Sequence, residues 1–494
     1  MQFGKEVKAK SNPDAEWKKR SIFWELPYWP RMEVRHCLDV MHVVKNITES
    51  LLGFLSVHGK TKDTLASRDD MVSMGIRPEL APIRDGNRTY LPAAKYHLTK
   101  DEKTSMLRCL KSLKVPSGYC SNISAKVSMK DLKLIGLKSH DCHVLMTQLL
   151  PVAIRGMNDP LVKRTITKLC FFFNSICSKV IDPKSLPKLQ LDLVETICEL
   201  EMYFPPSFFD IMVHLSVHLV REIQICGPVY LRYMYPFERA MGVIKRMVKS
   251  RSRPEGNIVE NYVSEEIVEF VSNYLEGVDA VGLPKSKHEG RLQGVGTIGF
   301  KTIRTTHELR QKAHCKVLQH LSIVTPFIAE HKEELRARNP TKSESWISSQ
   351  HELNFDTWFE KRVSSSIDVV SESVRCLADG PSTKIFSYQG YDMNGFTWYT
   401  DKQDNKSTNQ NSGVMVMGVS GNDNVSASYY GWIEEIWELD YFVFRIPIFK
   451  CKWIDNEKGG VKKDRYGFTV VDKKRTAYSH DPFILASTAK QVRI

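Results

Sequence analysis

Over roughly the first three quarters of the chain, apolar residues recur every three to four positions, which predicts amphipathic helices. Leu38, Met41, Val44, Ile47, Leu51 and Leu52 fall on one face and predict a first long helix. Thr165, Leu169, Phe172, Phe173 and Ile176 do the same and read as core. Residues 97–115 and the run LPKLQLDLVETICELEMYF supply further helices. PPSFFDIMVHLSVHLVREI predicts one helix from about Pro206 to Ile225, opened by its Pro-Pro-Ser turn. Pro228 and Pro236 then bracket the aromatic run VYLRYMY. The helical period resumes at Glu238, with Met241, Ile244 and Val248 on one face, and runs through ENYVSEEIVEFVSNYLEG to Gly277.

After Pro381 the period shortens to two. KIFSYQGYDMNGFTWYT, SGVMVMGV, YYGWIEEIWEL, YFVFRIPIFKCKWI and YGFTVVD alternate β-branched and aromatic residues between Gly or Asn turns. Five to seven short strands are expected there, as a small barrel or sandwich. The fold class is therefore α+β, a mainly helical body followed by a small β-rich C-terminal domain. Tyr429, Tyr430, Trp432, Trp437 and Trp453 belong to that domain's core, although exposed aromatics can also stack on bases.

Charge narrows the partners. Lysine and arginine total 70 against 57 aspartates and glutamates, for a net charge of +13. Such an excess favours an acidic partner, most simply duplex DNA, with a merely solubilising surface as the alternative. The 11 cysteines form no C-x-x-C pair and suit free thiols in a reducing compartment. MQFGKEVKAKSNPDAEWKKR is too polar for a signal peptide, and no apolar run is long enough to span a bilayer. An intracellular protein with no membrane partner is expected.

Candidate chemistry concentrates in one stretch. His214 and His218 are four apart, so one helix face would present both to a metal ion such as zinc. Glu238 stands just ahead of the cations Lys245, Arg246, Lys249, Arg251 and Arg253. A carboxylate beside a cationic stripe suits a divalent metal near a phosphate backbone. Elsewhere, Asp39 and His42 are three apart and suit a hydrogen-bonded pair or a weak metal site. His140, Cys142 and His143 are dense enough for zinc, but neighbours on a helix point different ways. Packing at a helix start, capped by Ser139 or Asp141, is the expected role. The glycine-rich stretch 278–312 lacks the Gly-Lys-Ser/Thr ending of a nucleotide loop and reads as a connector.

Several long words occur together in order: SIFWELPYWPRMEVRHCLDVMHVVKN, SHDCHVLMTQLLPVAIRG, YPFERAMGVIKRMVKSRSRPEGNIVE, and a tail from QNSGV through YYGWIEEIWELDY to KDRYGF and PFILAS. In these words the chain resembles the C-terminal part of plant transposases of CACTA (En/Spm-type) elements. The resemblance spans nearly the whole chain. Residues 1–20 read as a polar tail, and the resemblance implies a transposase-core remnant and linker at 21–95 and a helical domain of unknown function at 96–277. A connector with helices follows at 278–381, and a second domain of unknown function, β-rich, at 382–494.

The resemblance also implies a ribonuclease-H-like catalytic core with a helical insertion. In such a core two aspartates and a glutamate hold two Mg or Mn ions for strand cleavage and transfer. Glu238 in YPFERAMG matches the third carboxylate, and His214 with His218 match the histidine half of a zinc site. The two aspartates and the cysteine pair would lie ahead of IFWELPYWP, so a truncated, catalytically incomplete chain is expected, nuclear and able to bind DNA, transposase subunits or other nuclear proteins. Two alternatives stand beside it: a host-retained interaction scaffold with no DNA role, and a nuclease completed in trans.

Overall fold

The structure is a computed structural model that describes residues 21–275, 294–365, 370–419 and 426–493. The expected polar tail at 1–20 lies outside these residues. The chain divides into two compact units. One holds Met1–Leu113 with Cys120–Gly282, and the other holds Lys114–Tyr119 with Leu283–Ile494.

The first unit is helical. Its helices are α1 (Val40–Phe54), α2 (Leu65–Ser73), α3 (Lys100–Ser112), α4 (Ser139–Val144), α5 (Leu150–Ala153), α6 (Pro160–Ile176), α7 (Leu186–Tyr203), α8 (Ile211–Ser216), α9 (Leu219–Cys226), α10 (Tyr235–Met247) and α11 (Pro254–Tyr274). Among its described residues the strands form only two short antiparallel ladders: β1 (Ile83–Asp85) with β2 (Arg88–Tyr90), and β3 (Val127–Ser128) with β4 (Lys133–Leu134). Local chemistry sets the helix starts. Thr99 and Glu102 form a capping box on α3, and Asp159 caps α6 ahead of Pro160. Between α4 and α5 the helix widens into a π turn, Leu145–Leu149. Pro151 has no N–H to offer the carbonyl of Thr147, and the side-chain amide of Asn174 donates to that carbonyl instead, at 3.0 Å. The face read as core in α6 is buried, from Thr165 to Ile176.

One polar knot lies inside this unit. Arg68, 0% exposed, donates from Nε and Nη2 to the two oxygens of Asp63, at 2.5 and 2.8 Å, and from Nη1 to the carbonyl of Leu80. Tyr96 donates to Asp63 as well, and His97 lies 2.9 Å from it. Burial alone would raise the Asp63 carboxyl. The hydrogen bonds from Arg68, His97 and Tyr96 outweigh it and hold that carboxyl well below the carboxylate range.

The second unit combines helices and sheet. Its strands are β5 (Val295–Ile298), β6 (Lys301–Ile303), β7 (Ile385–Tyr388), β8 (Gly390–Met393), β9 (Phe396–Tyr399), β10 (Gly413–Val419), β11 (Ser426–Asp440), β12 (Arg445–Ile454), β13 (Val461–Lys463), β14 (Thr469–Val471), β15 (Thr476–Ala477), β16 (Phe483–Leu485) and β17 (Lys490–Gln491). Its helices are α12 (His307–His320), α13 (Thr325–Arg338), α14 (Glu344–Ser364), α15 (Glu372–Asp379) and α16 (Asp401–Lys406). The long antiparallel hairpin β11–β12 is the spine, flanked by β10, β7 and β16. Neighbouring residues on it point to opposite faces, as the pleat requires. Trp437, Leu439 and Ile448 join a core with Val317, Phe359 and Leu377 from α12, α14 and α15. Ile436, Phe449 and Trp453 join a second core with Tyr391 and Trp398 from β8 and β9.

This arrangement corrects the sequence reading in two places. The strands do not stand alone as a barrel or sandwich: one face of the sheet is roofed by helices from 307–379, so the boundary expected at 381/382 falls inside a shared core. Part of the expected connector is strand. Its stretch 278–293 lies outside the described residues, but β5 and β6 pair with β8 and β7. Gly296 is there for close approach, since a Cβ would meet the Tyr388 ring at 1.9 Å. The polar segment 402–412 is ordered around Asp404, whose buried carboxylate accepts from the backbone N–H groups of Asn411 and Ser412.

Candidate functional site

The site residues named from the sequence lie in the helical unit. Asp39 is the N-cap of α1 rather than a residue within it. Its Oδ1 accepts from the N–H groups of Met41 and His42, at 3.0 and 3.3 Å, and its Oδ2 meets His42 Nδ1 at 2.5 Å. That short pair fixes the His42 ring on the first turn of the helix. The chain leading to Asp39 is held from elsewhere. Glu222 on α9 is buried, accepts the Leu38 N–H on both oxygens, and pairs with Arg232 at 3.2 Å.

His214 and His218 do meet, with Nε2 atoms 3.2 Å apart and both rings exposed. They do so without the single helix that was expected. Residues 206–208 form a separate turn, and the helix breaks after Ser216. Val217 and His218 donate three residues back, to His214 and Leu215, which tightens the chain between α8 and α9. Asp210, which caps α8, pairs with Lys62, while Glu222 anchors α9 to Leu38, so the two short helices are held separately. Among the described residues no three His, Cys, Asp or Glu side chains come together as a metal site.

Glu238 lies in the first turn of α10 and is exposed. Beside it is a cluster that the sequence reading passed over. The rings of His140 and Tyr235 are 5.6 Å apart, those of His143 and Tyr233 5.7 Å, and those of Tyr233 and Tyr235 5.6 Å. The hydroxyls of both tyrosines and Nδ1 of His143 are buried without a well-formed hydrogen-bond partner from the protein. The Tyr233 hydroxyl interacts with the Cys177 thiol, but short of full hydrogen-bond geometry. Burial pushes that thiol up to about 11 and pulls His143 down to about 4, with the charge of His140 adding to the latter. The Tyr235 hydroxyl is raised first by burial, then by Cys177, Cys142 and the charges of Asp39 and Glu238. These two carboxylates, far apart in sequence, therefore act on one hydroxyl.

His140 and His143 thus take the packing role expected of them, on a helix whose start is fixed by Asp141 accepting the Lys138 N–H at 2.9 Å. Nothing in the spacing of YMY announces that its tyrosines meet histidines roughly ninety residues earlier, because such contacts carry no sequence period. Only the aromatic density between two prolines hinted at it.

The basic run occupies the end of α10 and the turn into α11. Lys245, Arg246, Lys249, Arg251 and Arg253 are all exposed, and among the described residues none has an ion-pair partner. The turn itself is built: Asn257 accepts the Lys249 N–H at 3.2 Å, and Asn261 reaches the carbonyl of Met247. The cations therefore stand on a shaped hairpin.

Two family models match the chain, each describing a domain of unknown function. The first (DUF4218) covers residues 176–288 and the second (DUF4216) covers residues 437–493. Both are typical of plant transposon-derived proteins. The first match contains His214, His218, Glu238 and the whole basic run, and the second begins within the spine hairpin of the sheet. No curated protein and no solved structure matches the chain. No helix among the described residues is long and apolar enough to cross a membrane.

Proposed function

We propose that this chain is a transposase-derived protein of the CACTA type that acts in the nucleus by binding duplex DNA and does not cut it. The observation that carries the proposal is the basic hairpin. It holds five exposed cations with no ion-pair partner among the described residues, inside a region matched by a domain typical of plant transposon-derived proteins. Cations at that density gain affinity by releasing counterions from phosphates, and they need no particular base sequence to do so. Cleavage asks for more. Two metal ions need several converging carboxylates, and among the described residues no three His, Cys, Asp or Glu side chains come together. The His214–His218 pair supplies two donors where a structural zinc takes four.

The charges of Asp39 and Glu238 both raise the Tyr235 hydroxyl, and this favours a second reading, a nuclease completed by a partner subunit. One experiment separates the two. The purified chain is mixed with labelled duplex, with and without magnesium or manganese. The binding reading expects a shifted band that fades with salt, no nicked product, and a Glu238→Gln variant that binds as before. A metal-dependent nick that disappears in Glu238→Gln overturns it and promotes the nuclease.

A further inference from the structure

Helix α11 is built like a buried element yet stands in the open. Of its 21 residues only Ser272 is buried. Val259, Val263, Ile267, Phe270 and Tyr274 fall on one stripe and are 62%, 44%, 57%, 72% and 78% exposed. The stripe lies away from Asn257 and Asn261, the residues that tie α11 to the turn after α10. A 21-residue helix is about 31 Å long, so the bare stripe has the length of a full helix–helix contact. Helix α10 shows a shorter version, with Phe237 and Met241 61% and 63% exposed and Ile244 and Val248 half-buried along the same face. Contiguous apolar surface of this kind marks an interaction site.

Charge says what covers it. Residues 254–275 carry five glutamates and no lysine or arginine. Residues 235–253 carry six cations and one glutamate. Glu260 and Glu266 flank the α11 stripe, while Lys245 borders the α10 stripe and Lys249 follows just past the end of that helix. Two α11 helices laid together would set glutamate against glutamate. An α11 laid on a basic apolar helix would not, and this chain itself supplies such a helix in α10.

We propose that the α10–α11 hairpin is a homodimer interface, in which α11 of each copy packs against α10 of the other about a two-fold axis. Such an interface is isologous and closes on itself, as most homo-oligomers do. The apolar stripes supply the burial, and the opposed charges set the pairing and exclude the α11–α11 register. Arg246, Arg251 and Arg253 lie away from the α10 stripe or in the turn, so the dimer keeps them for phosphate, with Lys245 and Lys249 at the rim between the two surfaces.

Sedimentation velocity on the full chain without DNA tests this. Wild type is expected to be a dimer at tens of micromolar. Val263→Glu with Ile267→Glu should give a monomer that still unfolds in one cooperative transition, since both side chains are exposed. Glu260→Lys with Glu266→Lys should weaken the dimer roughly tenfold, and so should Lys245→Glu with Lys249→Glu. Mixing those two charge variants should restore a heterodimer of near wild-type affinity, because each then offers the charge the other lacks. A monomeric wild type overturns the proposal. So does a dimer untouched by the stripe variant, or a mixture of charge variants that stays monomeric. Monomeric chains that still shift DNA would overturn the dimer alone, and dimers that ignore DNA would overturn the binding reading alone.

Discussion

In the sheet unit, the buried carboxylates of Glu438 and Asp404 find partners. Glu438 accepts from the hydroxyls of Tyr388 and Tyr391, at 3.1 and 2.7 Å, and Asp404 accepts two backbone N–H groups. Its apolar residues are used on both faces of the sheet, against helices on one side and β8–β9 on the other. In the helical unit the hydroxyls of Tyr233 and Tyr235 and one nitrogen of His143 converge without good partners, and two helices leave apolar stripes bare. Burying a polar group unpaired and exposing a row of large apolar residues both cost free energy. The sheet unit has the economy of a scaffold. The helical unit carries the uncompensated features that function requires.

The Arg68–Asp63 knot is where the helical unit behaves like the sheet unit, and breaking it should have the largest effect. Arg68→Ala leaves a buried carboxylate uncompensated and should cost about 3–5 kcal/mol, read from urea melts. A loss under about 1 kcal/mol would mean the knot is solvated in solution.

Acid should expose the next difference. His314 lies in the sheet unit, its Nδ1 2.9 Å from the Tyr441 hydroxyl, and burial lowers it from 6.5 to about 4, with Asp356 opposing and Arg310 assisting. His351 is also held near 4 by burial and by the adjacent His331 and Lys332. A folded pKa below the unfolded one means that the unfolded chain binds the extra proton between these values. Stability is then full above about pH 6.5 and falls as the pH approaches 4, by roughly 3 kcal/mol for each such histidine. His314→Gln should flatten that slope, and an unchanged slope would remove His314 from the account.

The paired tyrosines give the sharpest contrast. Tyr391→Phe removes a donor from buried Glu438 and should cost about 1–3 kcal/mol. Tyr235→Phe removes a hydroxyl with no good partner, so it should cost nothing or stabilise slightly. Equal losses at both positions would erase the distinction between the units.

How much of this was legible beforehand follows from the range of each interaction. The buried face of α6 could be read from its period, because Thr165 through Ile176 repeat with the helix turn. The change of period after Pro381 likewise announced the strands. The roofing of the sheet by α12, α14 and α15 could not be read, since an apolar face does not name what it packs against. The break after Ser216 has no proline or glycine to mark it, and it depends on anchors at Lys62 and Leu38 that are remote in sequence. For the site, Asp39 and His42 meet within one helix turn, whereas His214 and His218 meet across a helix break that their spacing did not announce. The Tyr235 cluster rests on tertiary contacts alone.

On the proposed function, the exposed cations between Lys245 and Arg253 hold duplex DNA. The most direct test is the dissociation constant of the full chain for a labelled duplex across a salt series, for wild type and for the variant with Lys245, Arg246, Lys249, Arg251 and Arg253 all changed to alanine. Each phosphate contact should add about 0.9 to the slope of log affinity against log salt, so the wild type should weaken steeply and the variant should lose both the affinity and the slope. Binding that ignores salt, or that survives the five substitutions, would contradict the claim.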